Sequence, residues 1–162
     1  MKAFFIMTLA VFFFYHSRSQ SVTSNDFRII TGDWHGHLVY LDYTSNNQQT
    51  IGLSLSVEQK GELKFEFSFM YTKESSHNGK DVYTINAHGR FINDMKVLER
   101  SPQPDGSIKI VLEEKGTDGN DDKPATFHHV LSLNKNKFTM TKMVKFDGDE
   151  NFFQRNQYVF SR

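Results

Sequence analysis

The sequence has no cysteine, only three prolines and one tryptophan, and no long apolar run beyond its first twenty residues. Without Cys there is no disulfide, no thiolate metal ligand, no thiol nucleophile and no lipid-modified Cys. The fold must therefore rest on its hydrophobic core. An excess of charge is also missing, since 19 Lys and Arg balance 19 Asp and Glu. A near-neutral chain lacks the basic footprint of a nucleic-acid or anionic-membrane partner. Helical spacing is absent too: no window longer than about ten residues repeats its apolar positions with a helical period. Nor is there a phosphate loop, a dinucleotide fingerprint or a carboxylate pair set for acid–base work. These absences leave no cofactor to expect and no catalytic residue to nominate.

The apolar run that does exist stands at the start. Lys2 supplies a positive end, Ala3–Tyr15 is nearly all apolar, and Ser17 and Ser19 occupy small-residue positions before a cleavage site. A membrane-spanning helix needs about 20 apolar residues, and His16 and Arg18 interrupt this run first. The pattern predicts a signal peptide over 1–19 and a mature chain over 20–162, exported to a periplasm or outside the cell. No membrane span is expected after cleavage. Loss of Lys2 and Arg18 takes the mature net charge to about −2. With no linker, repeat or low-complexity tract, the mature chain reads as one domain, which at this size buries roughly two-thirds of its unfolded surface.

What the mature chain does have is alternation and aromatic side chains. Gln20–Asp26 is polar and reads as loose. Thr31–Tyr43 is a first strand, followed by the turn residues Ser45–Gln48. Thr50–Glu58 alternates cleanly, with Ile51, Leu53, Leu55 and Val57 on one face and Thr50, Ser54, Ser56 and Glu58 on the other. After Lys60-Gly61, a third strand sets Leu63, Phe65, Phe67, Phe69 and Tyr71 on one face. Thr72–Lys80, containing Asn78-Gly79, is a hairpin loop. Asp81–His88 is a fourth strand, and Phe91–Arg100 a fifth whose register the alternation does not fix. Ser101–Gly106 is a loop, Ser107–Lys115 the sixth strand, and Gly116–Pro124 a long acidic loop. Phe127–Leu133, Lys137–Phe146 and Phe152–Arg162 complete the set. Short strands joined by turns predict an all-β fold, an antiparallel up-and-down β-barrel of about 8–10 strands, because closure removes exposed edges. A β-sandwich with Greek-key crossings is the alternative.

Gly32-Asp33-Trp34, opening the first strand, resembles the G-x-W of lipocalins and other calycins. Those are up-and-down barrels that bind small, mostly apolar molecules inside. Their other shared mark is an Arg on the final strand, packed over the Trp to close the barrel's end. The resemblance spans the mature chain in architecture and a handful of residues in motif. Pairing the last strand antiparallel with the first chooses between the two candidate arginines. With Arg162 opposite Trp34, Phe160 falls beside Gly36, Tyr158 beside Leu38 and Asn156 beside Tyr40. Phe160 then covers the gap left by Gly36. The resemblance thus implies Gly32, Trp34 and Arg162 as structural closure, with Arg155 on the opposite face. Fatty-acid-binding proteins carry an Arg-x-Tyr pair for a carboxylate. The spacing Arg155-Asn156-Gln157-Tyr158 puts Arg and Tyr on opposite faces, so the chain is calycin-like without a named subfamily.

Function then turns on the interior. The inward set includes Leu38, Leu53, Leu55, Phe65, Phe69 and Phe127, with Phe138, Met140 and Phe160 further along. Such a barrel is either filled by its own side chains or holds one small ligand. Tyr40 and Asp42 share Trp34's face, and Asn156 lies opposite Tyr40. A ligand-binding site of Tyr40, Asp42, Phe67, Tyr83, Asn156 and Tyr158 is therefore expected, for a small apolar or amphipathic molecule. A buried Asp42 would need a donor or a cation as partner. The alternative is a filled barrel acting through its surface, as an inhibitor or protein-interaction module. An enzyme would have to use Asp42 and Tyr40 as acid and base.

Metal sites fare worse. His35 and His37 point the same way, and with His128-His129 they form a set able to ligate zinc or copper. They lie on the face opposite Trp34, however, and read as solvent-facing strand residues. Asp118, Asn120 and Asp122 imitate the start of a calcium loop. Lys123 stands where that loop needs Gly and His129 where it needs Glu, so no metal is expected.

Overall fold

Strands that alternate apolar and polar side chains can bury one face only by curling together, and this chain does so. The computed structural model describes residues 21–162. The expected signal peptide over 1–19 lies outside the described residues. A five-residue helix, α1 (Ser24–Arg28), is followed by β1 (Gly32–Asp42), β2 (Asn47–Gly61), β3 (Lys64–Tyr71), β4 (Gly79–Thr84) and β5 (Phe91–Ile92). Then come β6 (Met95–Pro102), β7 (Ile108–Asp118), β8 (Lys123–Leu133), β9 (Lys137–Phe146) and β10 (Phe153–Ser161). All ten strands join one antiparallel sheet in the order β4-β3-β2-β1-β10-β9-β8-β7-β6-β5. Its two ends meet at the bridge Ile85↔Ile92, giving an all-β, nearly closed up-and-down barrel.

The seam between first and last strands has the register expected from alternation. Gly36 pairs with Phe160, Leu38 with Tyr158 and Tyr40 with Asn156. A methyl group on Gly36 would stand 2.8 Å from Phe160 Cδ1, which is the space that ring uses. Strands β1, β8, β9 and β10 each contribute residues to both ends of the barrel, so the ends can be compared. The end holding Gly32, Phe65, Leu133 and Phe138 is filled. Trp34, Phe65, Phe138 and Phe160 are fully buried there, with Phe138 edge-on to the indole at 4.8 Å.

Four expectations need correction. The segment read as loose, Gln20–Asp26, is from Ser21 onward the lead into α1, which plugs the filled end. Phe27 is fully buried against Phe65 and Phe67, with ring centroids at 5.4 and 6.3 Å. Asp26, only 2 % exposed, caps its own helix through the Thr23 N–H at 2.8 Å. Both of its oxygens also accept from Arg100, at 2.8 and 2.6 Å. The expected fifth strand is two, β5 and β6, because Asn93 takes positive φ and turns the chain back. The acidic loop is short as well, since β7 runs to Asp118 and β8 starts at Lys123. Phe127, placed in the main core by alternation, packs instead in a satellite cluster with Ala125 and Val144.

Candidate functional site

Toward the other end the apolar stripes of the strands continue as polar residues. On β7, Ile110 and Leu112 are followed by Glu114; on β9, Phe138 and Met140 are followed by Lys142. Charges placed inside a barrel hold space open, because each keeps its hydration or finds a partner. Two adjoining cavities result. The outer one, about 560 Å³, lies among Leu38 and Tyr40 of β1, Ile51 of β2, Tyr71 of β3, and Lys142 and Arg155. Glu74 and His77, from the turn after β3, also line it. The inner one, about 160 Å³, is walled by Phe69, Asp81, Tyr83, His129, Met140 and Tyr158. Asn156 and Lys142 border both cavities.

At the mouth, Asp118 sits between two cations, with Lys142 Nζ at 3.0 Å and Arg155 Nε at 3.8 Å. Lys142 also lies 3.9 Å over the Phe127 ring. Arg155 stacks 4.1 Å over Tyr43 and donates to the Leu41 carbonyl. Arg155 therefore does not take the outer face. A β-bulge between Gln154 and Asn156 breaks the alternation and turns its side chain inward. Deeper in, the Tyr71 and Tyr158 hydroxyls are 2.9 Å apart. Burial pushes the Tyr158 phenol well above its ordinary range, and the bond to Tyr71 adds to the effect. The Tyr83 phenol is raised by burial first, then by the charges of Asp81 and Glu114. Desolvation also raises the Asp81 carboxyl. Glu114 is engaged with His129, whose Nε2 is 2.8 Å from its carboxylate.

The six residues expected around a ligand divide. Tyr40 and Asn156 line the outer cavity, and Tyr83, Tyr158 and Asn156 the inner one. Phe67 is buried beneath Tyr83, with ring centroids at 4.6 Å, and belongs to the filled end. Asp42 lines neither cavity. Its carboxylate accepts from the Thr44 N–H at 2.9 Å and the Ser45 hydroxyl at 2.6 Å. The Ser45 bond, then the Thr44 bond, holds its pKa below the usual carboxylate value. It is a turn residue, and its Asx turn is the reason β1 ends there. The carboxylates inside are Asp81, Glu114 and Asp118, none of which was singled out as a ligand-site residue from sequence. Asp81 and Glu114 each extend an inward aromatic or apolar stripe by one step, which was the available signal, whereas Asp118 stands two steps beyond Glu114 on the same face of β7.

At the opposite end, the Trp34 indole N–H donates to the Ile30 carbonyl at 2.8 Å. The Arg162 guanidinium lies 4.0 Å over the indole and donates to the Thr31 carbonyl. Gly32 has a φ of +107°, open to Gly at no steric cost, and a side chain there would meet Arg162 at 3.1 Å. His35 and His37 are solvent-exposed on the outer face. Among the described residues no group of three or more His, Asp or Glu is placed to hold a metal ion.

No protein-family model and no curated protein matches the chain. Solved structures do resemble it. The S-type phycobiliprotein lyase CPES from Guillardia theta superposes with a TM-score of 0.53 at 9 % identity, over 91 % of this chain and 97 % of that one. The structure of EF1p2_mFAP2b bound to DFHBI aligns with a TM-score of 0.45 at 12 % identity, over 87 % of this chain and 99 % of that one. The likeness to the lyase is one of fold, and with the nearly closed antiparallel barrel it makes this chain calycin-like in architecture.

Proposed function

We propose that this chain is an exported protein that binds a small, partly apolar ligand inside its barrel. The observation that carries the reading is the outer cavity of about 560 Å³, adjoined by the inner one. Small-molecule sites typically run to about 300–1,000 Å³ and combine apolar walls with a few convergent polar groups. Here Leu38, Ile51, Phe69 and Met140 supply the walls. Asn156, Tyr158, Arg155 and Asp81 supply the polar groups. The fold shared with a phycobiliprotein lyase does not carry over a ligand; this chain's own residues have to choose one.

A barrel filled by its own side chains would leave no such space. Its surface reading also lacks a feature to build on. Among the described residues the exposed large apolar side chains are Met70, Val82 and Phe91. Lys80, paired with Glu66 at 2.8 Å, stands between the first two. Export rests on the sequence pattern Lys2, Ala3–Tyr15, Ser17 and Ser19.

Native mass spectrometry of protein purified from its own source tests both parts. The expected spectrum shows a chain beginning at Gln20 and carrying a small molecule that denaturation releases. A bare polypeptide that also takes up no compound from a panel of small aromatic and aliphatic probes would end the ligand reading. Retention of Lys2 and the apolar run in the isolated protein would end the export reading.

A further inference from the structure

The inner cavity contains one charge that the protein leaves uncompensated. Asp81, on β4, faces the same interior as Tyr83, and among the described residues its side chain has no hydrogen-bond or ion-pair partner. Every other carboxylate inside is engaged. Asp118 holds Lys142 and Arg155, and Glu114 holds His129. Around Asp81 the walls are aromatic. Phe69 and Tyr158 pack with ring centroids 5.4 Å apart, and Tyr83 and Met140 complete the surround. Desolvation raises the Asp81 carboxyl, and the basic side chains that border the same cavity, Lys142 and His129, are engaged by Asp118 and Glu114.

A carboxylate among ring faces is the arrangement that recognises an organic cation. The charge pairs with the carboxylate, and the adjacent carbons pack on the π faces, which attract positive charge themselves. An anion would meet the unpaired Asp81 carboxylate. A neutral molecule filling the cavity would displace water from Asp81 without offering it a partner, which costs free energy. We infer that the inner cavity binds the positively charged end of an organic amine, with Asp81 as its counter-ion and Phe69, Tyr83 and Tyr158 as its walls. The rest of the ligand extends past Asn156 into the outer cavity. The inference rests on the proposed ligand-binding function and specifies its chemistry. A volume of about 160 Å³ suits an ammonium group with a short apolar stem rather than a fused ring system.

Calorimetric titration with three probes of one shape tests the assignment: 2-phenylethylammonium, 2-phenylethanol and 3-phenylpropionate. The wild-type protein is expected to bind the ammonium at least tenfold more tightly than the alcohol, and the carboxylate weakest. Asp81→Asn should bring the ammonium down to the level of the alcohol and leave the alcohol unchanged. Asp42→Asn, altering a carboxylate in the β1–β2 turn, should change none of the three. The wild-type comparison needs no variant, so a misfolded Asp81→Asn protein would not blunt the test. Alcohol binding equal to ammonium binding overturns the amine assignment and leaves the ligand site standing. Preference for the carboxylate does the same and moves recognition to Lys142 and Arg155. No binding of any probe, together with a bare native mass spectrum, overturns both.

Discussion

The two ends of this barrel are built from the same strands and do opposite things. At the filled end, Trp34, Phe138 and Phe160 interdigitate, α1 packs Phe27 against Phe65 and Phe67, and the Trp34 indole N–H and the Asp26 carboxylate both have partners. At the open end the same inward stripes turn into Tyr40, Lys142 and Asn156, and space appears between them. The difference teaches where free energy is gained and where it is spent. A buried aromatic side chain typically stabilises by about 3–5 kcal/mol, read from its removal. Interior charges at best break even against apolar side chains of the same size. The filled end can therefore hold the fold while the open end is shaped for something else.

Single substitutions put that contrast to the test. The largest effect belongs to Trp34→Ala, which should lower stability by about 3–5 kcal/mol in urea unfolding followed by circular dichroism. Arg100→Ala comes next. It strands the Asp26 carboxylate, only 2 % exposed, and loss of one partner from a buried pair costs about 3 kcal/mol. A near-wild-type unfolding midpoint for either protein would mean that this end does not carry the fold. Tyr158→Phe, at the open end, removes one hydrogen bond to Tyr71 and should cost no more than about 1 kcal/mol. Its effect should appear instead in ligand affinity.

The smallest stability effect should have the opposite sign. Desolvation holds the folded-state Asp81 carboxyl above its ordinary value of 3.8. The folded chain thus holds that proton more tightly than the unfolded chain, and stability is lost as pH rises through the interval between the two values. Asn at this position cannot ionise. Asp81→Asn should therefore melt slightly higher than wild type at pH 7, with the gain shrinking as pH falls to about 3.8. A variant that melts lower at pH 7 would show that Asp81 has a stabilising partner after all.

Much of the filled end was legible in the sequence. Ile51, Leu53, Leu55 and Val57 announce β2 by strict alternation, and Gly36 opposite Phe160 sets the seam between β1 and β10 because only one register fits a ring over a missing side chain. The open end was harder for a physical reason. Alternation assumes an unbroken ladder, and the bulge at Gln154/Asn156 shifts the count by one, turning Arg155 from the surface to the mouth. Asp42 misled in another way. It shares Trp34's face, but an Asp at a strand end bonds its own turn more readily than it enters a cavity. Asp81 and Glu114 were within reach, one step along the stripes containing Tyr83 and Leu112. The helix α1 is too short to show a period, although Thr23 and Asp26 stand at capping-box spacing.

The division of labour between the ends is tested most directly by methyl NMR shift mapping during titration with 2-phenylethylammonium. Leu38, Ile51, Leu131 and Met140 border the cavities, whereas Leu55, beside Trp34, and Leu133, beside Phe138, are packed at the filled end. Saturable shifts in the first group, with the second unmoved, are the predicted result. Shifts spread over the filled end or the outer face, with the cavity methyls silent, would contradict it.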